Sequence, residues 1–171
     1  TGSALDIGGI IEVVPNCVSR DGIGKTNEES LYEFFLNNFG AEHNMGFQSA
    51  RENFIRSQAA YSIVSYVLQV KDRHNGNILI DKEQGYLVHI DFGFILEISP
   101  AGNLRFERAA FKLTEEMIKI MGGSIDSEPF QLYLTLVIKG FLIVRRYHRH
   151  VYNLVRLIAM SGLPCFLPQA L

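Results

Sequence analysis

The chain has 171 residues, 47% of them hydrophobic and 20% charged, with 15 Gly and 5 Pro. That is enough apolar material for one core, and it excludes a disordered or collagen-like chain. Lys+Arg 16 against Asp+Glu 18 leaves a net charge of -2, which removes the overall basic character of a dedicated nucleic-acid binder. Cys17 and Cys165 stand far apart and outside any CxxC spacing, so neither a disulfide framework nor a zinc site is expected, and a reducing, intracellular setting fits. The longest apolar stretch, Ala59 to Val70, is broken by Ser62, Ser65 and Gln69 and is shorter than the roughly 20 residues of a membrane span. The first six residues lack the basic and apolar regions of a signal peptide.

In chain order, Gly9 to Pro15 (GIIEVVP) is a β-branched run closed by proline, which predicts a strand entering a loop from Asn16 to Asn27. Thr26 and Glu29 have capping-box spacing ahead of Leu31, Phe34, Phe35 and Phe39, and Gly40 supplies a stop, so a helix is expected between them. The strongest helical pattern follows: Phe47, Ala50, Phe54, Tyr61, Val64 and Leu68 recur on one stripe, with Arg51, Glu52, Arg56 and Gln58 on other faces. This helix should be central and largely buried. The period then switches to two short apolar runs, Asn77 to Asp81 and Tyr86 to Ile90, joined by Lys82-Glu83-Gln84-Gly85, a hairpin signal. Gly93 to Lys112 has no sustained periodicity and reads as a long irregular segment, which inside a compact domain is usually functional. Thr114 caps a short helix ending at Gly122-Gly123. An amphipathic helix carries Phe130 to Leu142, and a last one runs from about His148 to Met160. The layout is α+β, dominated by helix.

The chemistry should lie at the two polar clusters that bracket the hairpin, Asp72-Arg73-His74-Asn75-Gly76-Asn77 and His89-Ile90-Asp91-Phe92-Gly93. A hairpin brings its ends together, so Asp72 and Asn77 are expected near Asp91. That would place one general base beside two hard oxygen donors of the kind Mg²⁺ accepts next to phosphates. Asp72 precedes Asn77 by five positions and Asp-Phe-Gly follows, the spacing of the protein-kinase catalytic loop and metal motif, although the first triplet is Asp-Arg-His rather than His-Arg-Asp. Gly22-Ile23-Gly24-Lys25-Thr26 invites a phosphate-loop reading, but Ser19 stands where that pattern needs its first Gly. Arg73 is expected to be structural, and His89 to pack or hydrogen-bond in support of the metal site. Arg145, Arg146, His148, Arg149, His150 and Arg156 form the one basic concentration, either a solvated face or a contact for anionic lipid or an acidic partner.

KDRHNGNILID followed by HIDFGFILEISPAGNL, with FQSARENFIRSQAAYSIVSYVLQ upstream, resembles the phosphatidylinositol 3-/4-kinase superfamily, most closely the type III phosphatidylinositol 4-kinases of the alpha type. The resemblance implies the helix-dominated carboxy-terminal lobe of a protein-kinase-like fold, with a hinge strand and a catalytic hairpin. On that view residues 1–171 are a single unit, a partial catalytic domain without the amino-terminal lobe and the last helices, and inactive by itself. It implies ATP and Mg²⁺ as cofactors. Asp91 and Asn77 would hold the metal, and Asp72 with His74 would orient and deprotonate the inositol hydroxyl, which of the two takes the proton being open. GIIEVVP would be the hinge, with the Glu12 carbonyl and the Val14 amide on adenine and with Leu79 and Ile90 lining an apolar floor. Gly93 to Lys112 would be the activation loop that meets the headgroup.

Relatives acting on bis-phosphorylated headgroups carry a dense basic run there as counter-charge. This loop has only Arg105, Arg108 and Lys112, opposed by Glu97 and Glu107, which favours plain phosphatidylinositol and, by resemblance, its 4-hydroxyl. Expected partners are phosphatidylinositol in membranes, the amino-terminal lobe and regulatory proteins, with no nucleic acid, at a cytoplasmic, peripheral-membrane location. A phosphatidylinositol 3-kinase, a related Ser/Thr protein kinase and a non-catalytic scaffold lobe are the alternatives.

Overall fold

The computed structural model describes residues 8–27, 29–96, 109–162 and 166. A three-stranded antiparallel sheet of order β1-β2-β3 and six α-helices make up the regular structure of these residues. Strands β1 (Cys17–Ser19), β2 (Ile78–Asp81) and β3 (Leu87–His89) pair with Val18 opposite Ile80 and Leu79 opposite Val88. The helices are α1 (Arg20–Asn27), α2 (Leu31–Phe39), α3 (Met45–Leu68), α4 (Glu115–Ile120), α5 (Glu128–Arg146) and α6 (His148–Ile158).

Helix α3 is the axis of the molecule. Its Phe47, Ala50, Phe54 and Ile55 are buried with Phe34 and Phe35 of α2, Met117 and Ile120 of α4, and Phe130 and Tyr133 of α5. The aromatic rings meet edge to face, Phe35 lying 5.5 Å from Phe54 and 6.2 Å from Phe47 between centroids. The alternating side chains of the hairpin put Ile78, Ile80, Leu87 and His89 inside and leave Leu79 and Val88 half-buried on the other face. The hairpin is tied to α3 by two bonds: the Leu87 amide donates to Ser57 Oγ (3.0 Å), and Asn53 Nδ2 donates to the Gln84 carbonyl (2.9 Å). Asp81 Oδ1 accepts from the amides of Glu83 and Gln84 and shapes the connecting turn.

The hairpin, α2 and the helices from 114 onward follow the sequence reading; four local expectations do not hold. Residues 9–14 form no strand: Ile10, Ile11 and Val13 are exposed, and the first strand lies three residues further on, where Cys17, Val18 and Ser19 find a partner in β2. A β-branched run becomes a strand only where its backbone groups are paired. The expected loop from Asn16 to Asn27 contains β1 and α1. Helix α1 forms despite two glycines because Ser19 Oγ caps it at the Gly22 amide (3.0 Å), Ile23 is buried, and Arg20 makes a two-armed ion pair with Glu116 of α4 (2.6 and 3.0 Å). Gly22 to Thr26 is therefore helix, not a phosphate loop.

The capping box belongs to Ser30 and Glu33, not Thr26 and Glu29: Glu33 N donates to Ser30 Oγ (3.2 Å) and Ser30 N to Glu33 Oε2 (2.8 Å), one residue before the first buried leucine. Finally, Val64 is exposed. The second half of α3 instead buries Gln58, Ser62 and Ser65, whose polar atoms are used by neighbours. Ser62 Oγ donates to the Gln58 carbonyl (2.8 Å) and receives Tyr133 Oη of α5 (2.9 Å).

Candidate active site

The segment between α3 and β2 leaves the helix through Gln69, which takes the left-handed conformation, and Val70, which is buried. It then runs extended to a single 3-10 turn, Asn75–Asn77, that enters β2. The segment after β3 lies against it: Ile90 N donates to the Asn77 carbonyl (3.1 Å), and Lys71 N to the Phe94 carbonyl (2.9 Å). Leu96 N reaches back to the Leu68 carbonyl at the end of α3 (2.8 Å). The hairpin thus brings the Asp72–Asn77 cluster and the Asp91–Gly93 cluster side by side, as the sequence predicts.

Within the first cluster, Asn77 is buried and its Nδ2 donates to the Asp72 carbonyl (2.9 Å). Its Oδ1 is the remaining oxygen donor of that amide. His74 is exposed; its Nδ1 accepts the Gly76 N–H (3.0 Å), and its Nε2 stands 3.9 Å from Asp72 Oδ2. In the second cluster Asp91 is exposed, with Oδ1 accepting from Gly93 N (3.3 Å). Both aspartates have positive φ, 61° at Asp72 and 58° at Asp91, a region that a non-glycine residue occupies only when its surroundings hold it there. Asp91 and Asn77 offer hard oxygen, and among the described residues no group of three or more His, Cys, Asp or Glu could cage a metal. That donor set fits Mg²⁺, which keeps few protein ligands and completes its shell with phosphate oxygens and water.

His89 sits directly behind this site. It is buried and stacks on Tyr61 of α3, rings 4.0 Å apart and 8° from parallel. Among the described residues neither ring nitrogen has a hydrogen-bond partner, so of the two supports expected of it, packing is the one it provides. Burial, helped by the charges of Arg73 and Lys112, pushes its pKa down to about 4 and keeps the ring neutral.

The remaining expected site residues are distributed as follows. Leu79 is half-buried on the face of the hairpin opposite α3, and Ile90, two positions beyond Val88 on that same face, is half-buried too. Glu12 is exposed and Val14 half-buried in a segment without regular structure. Lys112 is held from both ends: Gln58 Nε2 donates to its carbonyl (2.7 Å), and its Nζ donates to Asn75 Oδ1 beside His74 (2.7 Å). Arg105 and Arg108, with Glu97 and Glu107, lie outside the described residues. A cleft of about 590 Å³ between α3 and α5, which includes Met45, Arg51, Glu52 and Glu128, contains none of the motif residues.

Two contributors escape a sequence reading. Gln58 falls on the same i, i+4 row as Ala50 and Phe54, and a polar residue on that row is the only signal of its anchoring role. Arg73 is nearly fully buried, and its guanidinium bonds to backbone of both clusters. Nothing in its sequence position announces those partners.

The profile of the phosphatidylinositol 3- and 4-kinase family matches residues 6–167, which include both clusters and the hairpin between them. The chain belongs to this family. A phosphatidylinositol 4-kinase (stt4) of Schizosaccharomyces pombe is 52% identical over 161 residues, 94% of this chain and 8% of that protein. Phosphatidylinositol 4-kinase alpha 1 of Arabidopsis thaliana is 49% identical, over 92% of this chain and 8% of its own length. Phosphatidylinositol 4-kinase beta of Sorex araneus is 46% identical, over 92% and 20%. The chain thus spans less than a tenth of the first two. As a phosphatidylinositol 3- and 4-kinase family chain it has a protein-kinase-like fold, and its helix-dominated layout with one small sheet is that of the carboxy-terminal lobe.

Proposed function

We propose that the protein carrying this chain transfers the γ-phosphoryl group of ATP to the 4-hydroxyl of phosphatidylinositol, giving ADP and phosphatidylinositol 4-phosphate. The observation that carries the reading is the joining of the Asp72–Asn77 turn to the Asp91 segment at the open end of one hairpin, through Ile90 N and the Asn77 carbonyl (3.1 Å). Both clusters lie within the stretch aligned with proteins named phosphatidylinositol 4-kinases.

In this reading Asp91 and the Asn77 amide oxygen hold Mg²⁺. When bound, that ion supplies charge neutralisation on the nucleotide phosphates. Leu79 and Ile90 form the apolar floor under adenine, with Glu12 and Val14 offering backbone groups at its edge; the shared, half-buried face of Leu79 and Ile90 supports this part. Asp72 is the general base. His74 Nδ1 already accepts the Gly76 N–H (3.0 Å), so a neutral ring carries its hydrogen on Nε2 and acts there as a donor, leaving Asp72 as the acceptor. The inositol oxygen attacks phosphorus as its proton passes to Asp72, the bond from phosphorus to the β,γ-bridging oxygen breaks, and ADP leaves. Arg105, Arg108 and Lys112 face the headgroup. Three cations suit a single phosphodiester, and Lys112, anchored beside Asn75, supports that placement. The substrate is met at a membrane surface as a peripheral contact; no helix among the described residues is long and apolar enough to cross a bilayer.

The test is headgroup analysis of radiolabelled product formed by the whole protein from ATP, Mg²⁺ and phosphatidylinositol vesicles. A 4-phosphate is expected, with Asp91→Ala lowering turnover about 100-fold or more, the scale of removing one transition-state stabiliser. A 3-phosphate would move the specificity to the other branch of the family. No lipid product from folded protein would overturn the reading.

A further inference from the structure

We infer that Arg73 is a positioning residue that sets the direction of the Asp91 carboxylate, a role that rests on the proposed metal function of Asp91. The Arg73 side chain is 3% exposed, and its donors go to backbone carbonyls: Nε to Lys71 (3.0 Å), Nη1 to Ile90 (2.8 Å) and Nη2 to Asp91. The guanidinium also lies over the Phe92 ring, 5.4 Å from its centroid.

Those acceptors are the ones that matter for geometry. The Ile90 and Asp91 carbonyls belong to the two peptide planes that flank the Asp91 Cα, and the angle between the planes is what φ and ψ of Asp91 describe. A rigid, flat fork that grips both planes fixes the Cα–Cβ direction, and with it where the carboxylate can reach. Asp91 needs such a hold because its φ of 58° lies in the left-handed region. The third donor extends the same control to the other strained aspartate. Lys71 O lies in the plane that precedes Asp72 (φ 61°), while the plane that follows it is held by Asn77 Nδ2 (2.9 Å). One buried guanidinium therefore spans the open end of the hairpin and registers the Asp72 side against the Asp91 side. A buried apolar residue could fill the space, but it could not orient three carbonyls. A lysine would keep the charge and lose the fork.

The experiment uses the whole protein with Arg73→Lys and Arg73→Gln. Mn²⁺ is titrated in the presence of a non-hydrolysable ATP analogue and followed by electron paramagnetic resonance, with melting temperature measured alongside. Residues that orient metal ligands change metal affinity by about 10- to 100-fold, so Arg73→Lys should bind Mn²⁺ at least tenfold more weakly while melting within a few degrees of the wild type. Arg73→Gln should be weaker still. Wild-type affinity in Arg73→Lys would overturn the inference. Loss of the folded state in Arg73→Lys would overturn it too, making Arg73 a stability residue. Absence of a Mn²⁺–nucleotide site in the wild type would remove the function assigned to the clamp. Because the readout needs no phosphoryl transfer to lipid, a protein that makes no lipid product yet shows the tenfold difference separates failure of the proposed reaction from failure of this inference.

Discussion

Gly85 offers a measurement of how firmly the hairpin is seated on α3. Its φ is +77°, and a Cβ there would stand 2.8 Å from Ala50 Cβ, 2.9 Å from the Ala50 carbonyl oxygen and 3.1 Å from Ala50 Cα. Ordinary carbon contacts are about 3.5–4.0 Å, so alanine at 85 overlaps three atoms, two of them backbone of a helix buried at that point. Gly123 has nearly the same backbone, φ +74°, with nothing within 4 Å of its would-be Cβ. Both substitutions carry the left-handed penalty of roughly 1–2 kcal/mol, but only Gly85→Ala adds the cost of forcing atoms into a packed contact, about 1–3 kcal/mol. We expect Gly123→Ala to destabilise by about 1 kcal/mol and Gly85→Ala by about 3 kcal/mol, read from urea unfolding followed by far-UV circular dichroism. Equal losses in the two variants would refute the close approach of the turn to α3, and with it the way the hairpin is held under the site.

Two further outcomes follow from the buried polar groups. His89 has its pKa pushed down to about 4 by burial, whereas in the unfolded chain it titrates near 6.5, so the unfolded state binds more protons between those values. Its contribution is intact above about pH 6.5 and declines as the pH falls toward 4, by about 2 kcal/mol at pH 5. His89→Phe, which keeps a ring over Tyr61, should flatten the fall in stability between pH 7 and pH 5; an unchanged pH profile would refute the assignment. Tyr133→Phe removes the hydroxyl that meets Ser62 Oγ at 2.9 Å and should cost about 1 kcal/mol. The Ser62→Ala, Tyr133→Phe double variant should lose clearly less than the two single losses combined, as a shared bond requires, and additivity would show that the pair is not coupled.

The sequence by itself determined the parts of this protein that depend on local periodicity and on spacing along the chain. The stripe from Phe47 to Phe54 is legible because a helix repeats every 3.6 residues. The hairpin is legible because two alternating runs flank a glycine turn, and the meeting of Asp72, Asn77 and Asp91 follows from that hairpin alone. What only the tertiary structure decided are features whose cause lies far away in the chain. Helix α1 forms on a glycine-containing stretch because Arg20 finds Glu116, 96 residues on. Val18 is a strand residue and Val13 is not, because β2 lies beside only the first. Gln58 is buried because the Lys112 carbonyl needs a donor. Arg73 becomes the clamp of the site because folding brings the Ile90 and Asp91 carbonyls to its guanidinium, across a gap of 17 and 18 residues. A hydrogen bond or ion pair between distant segments leaves no period in the sequence; it exists only once packing has brought donor and acceptor out of water and within reach of each other.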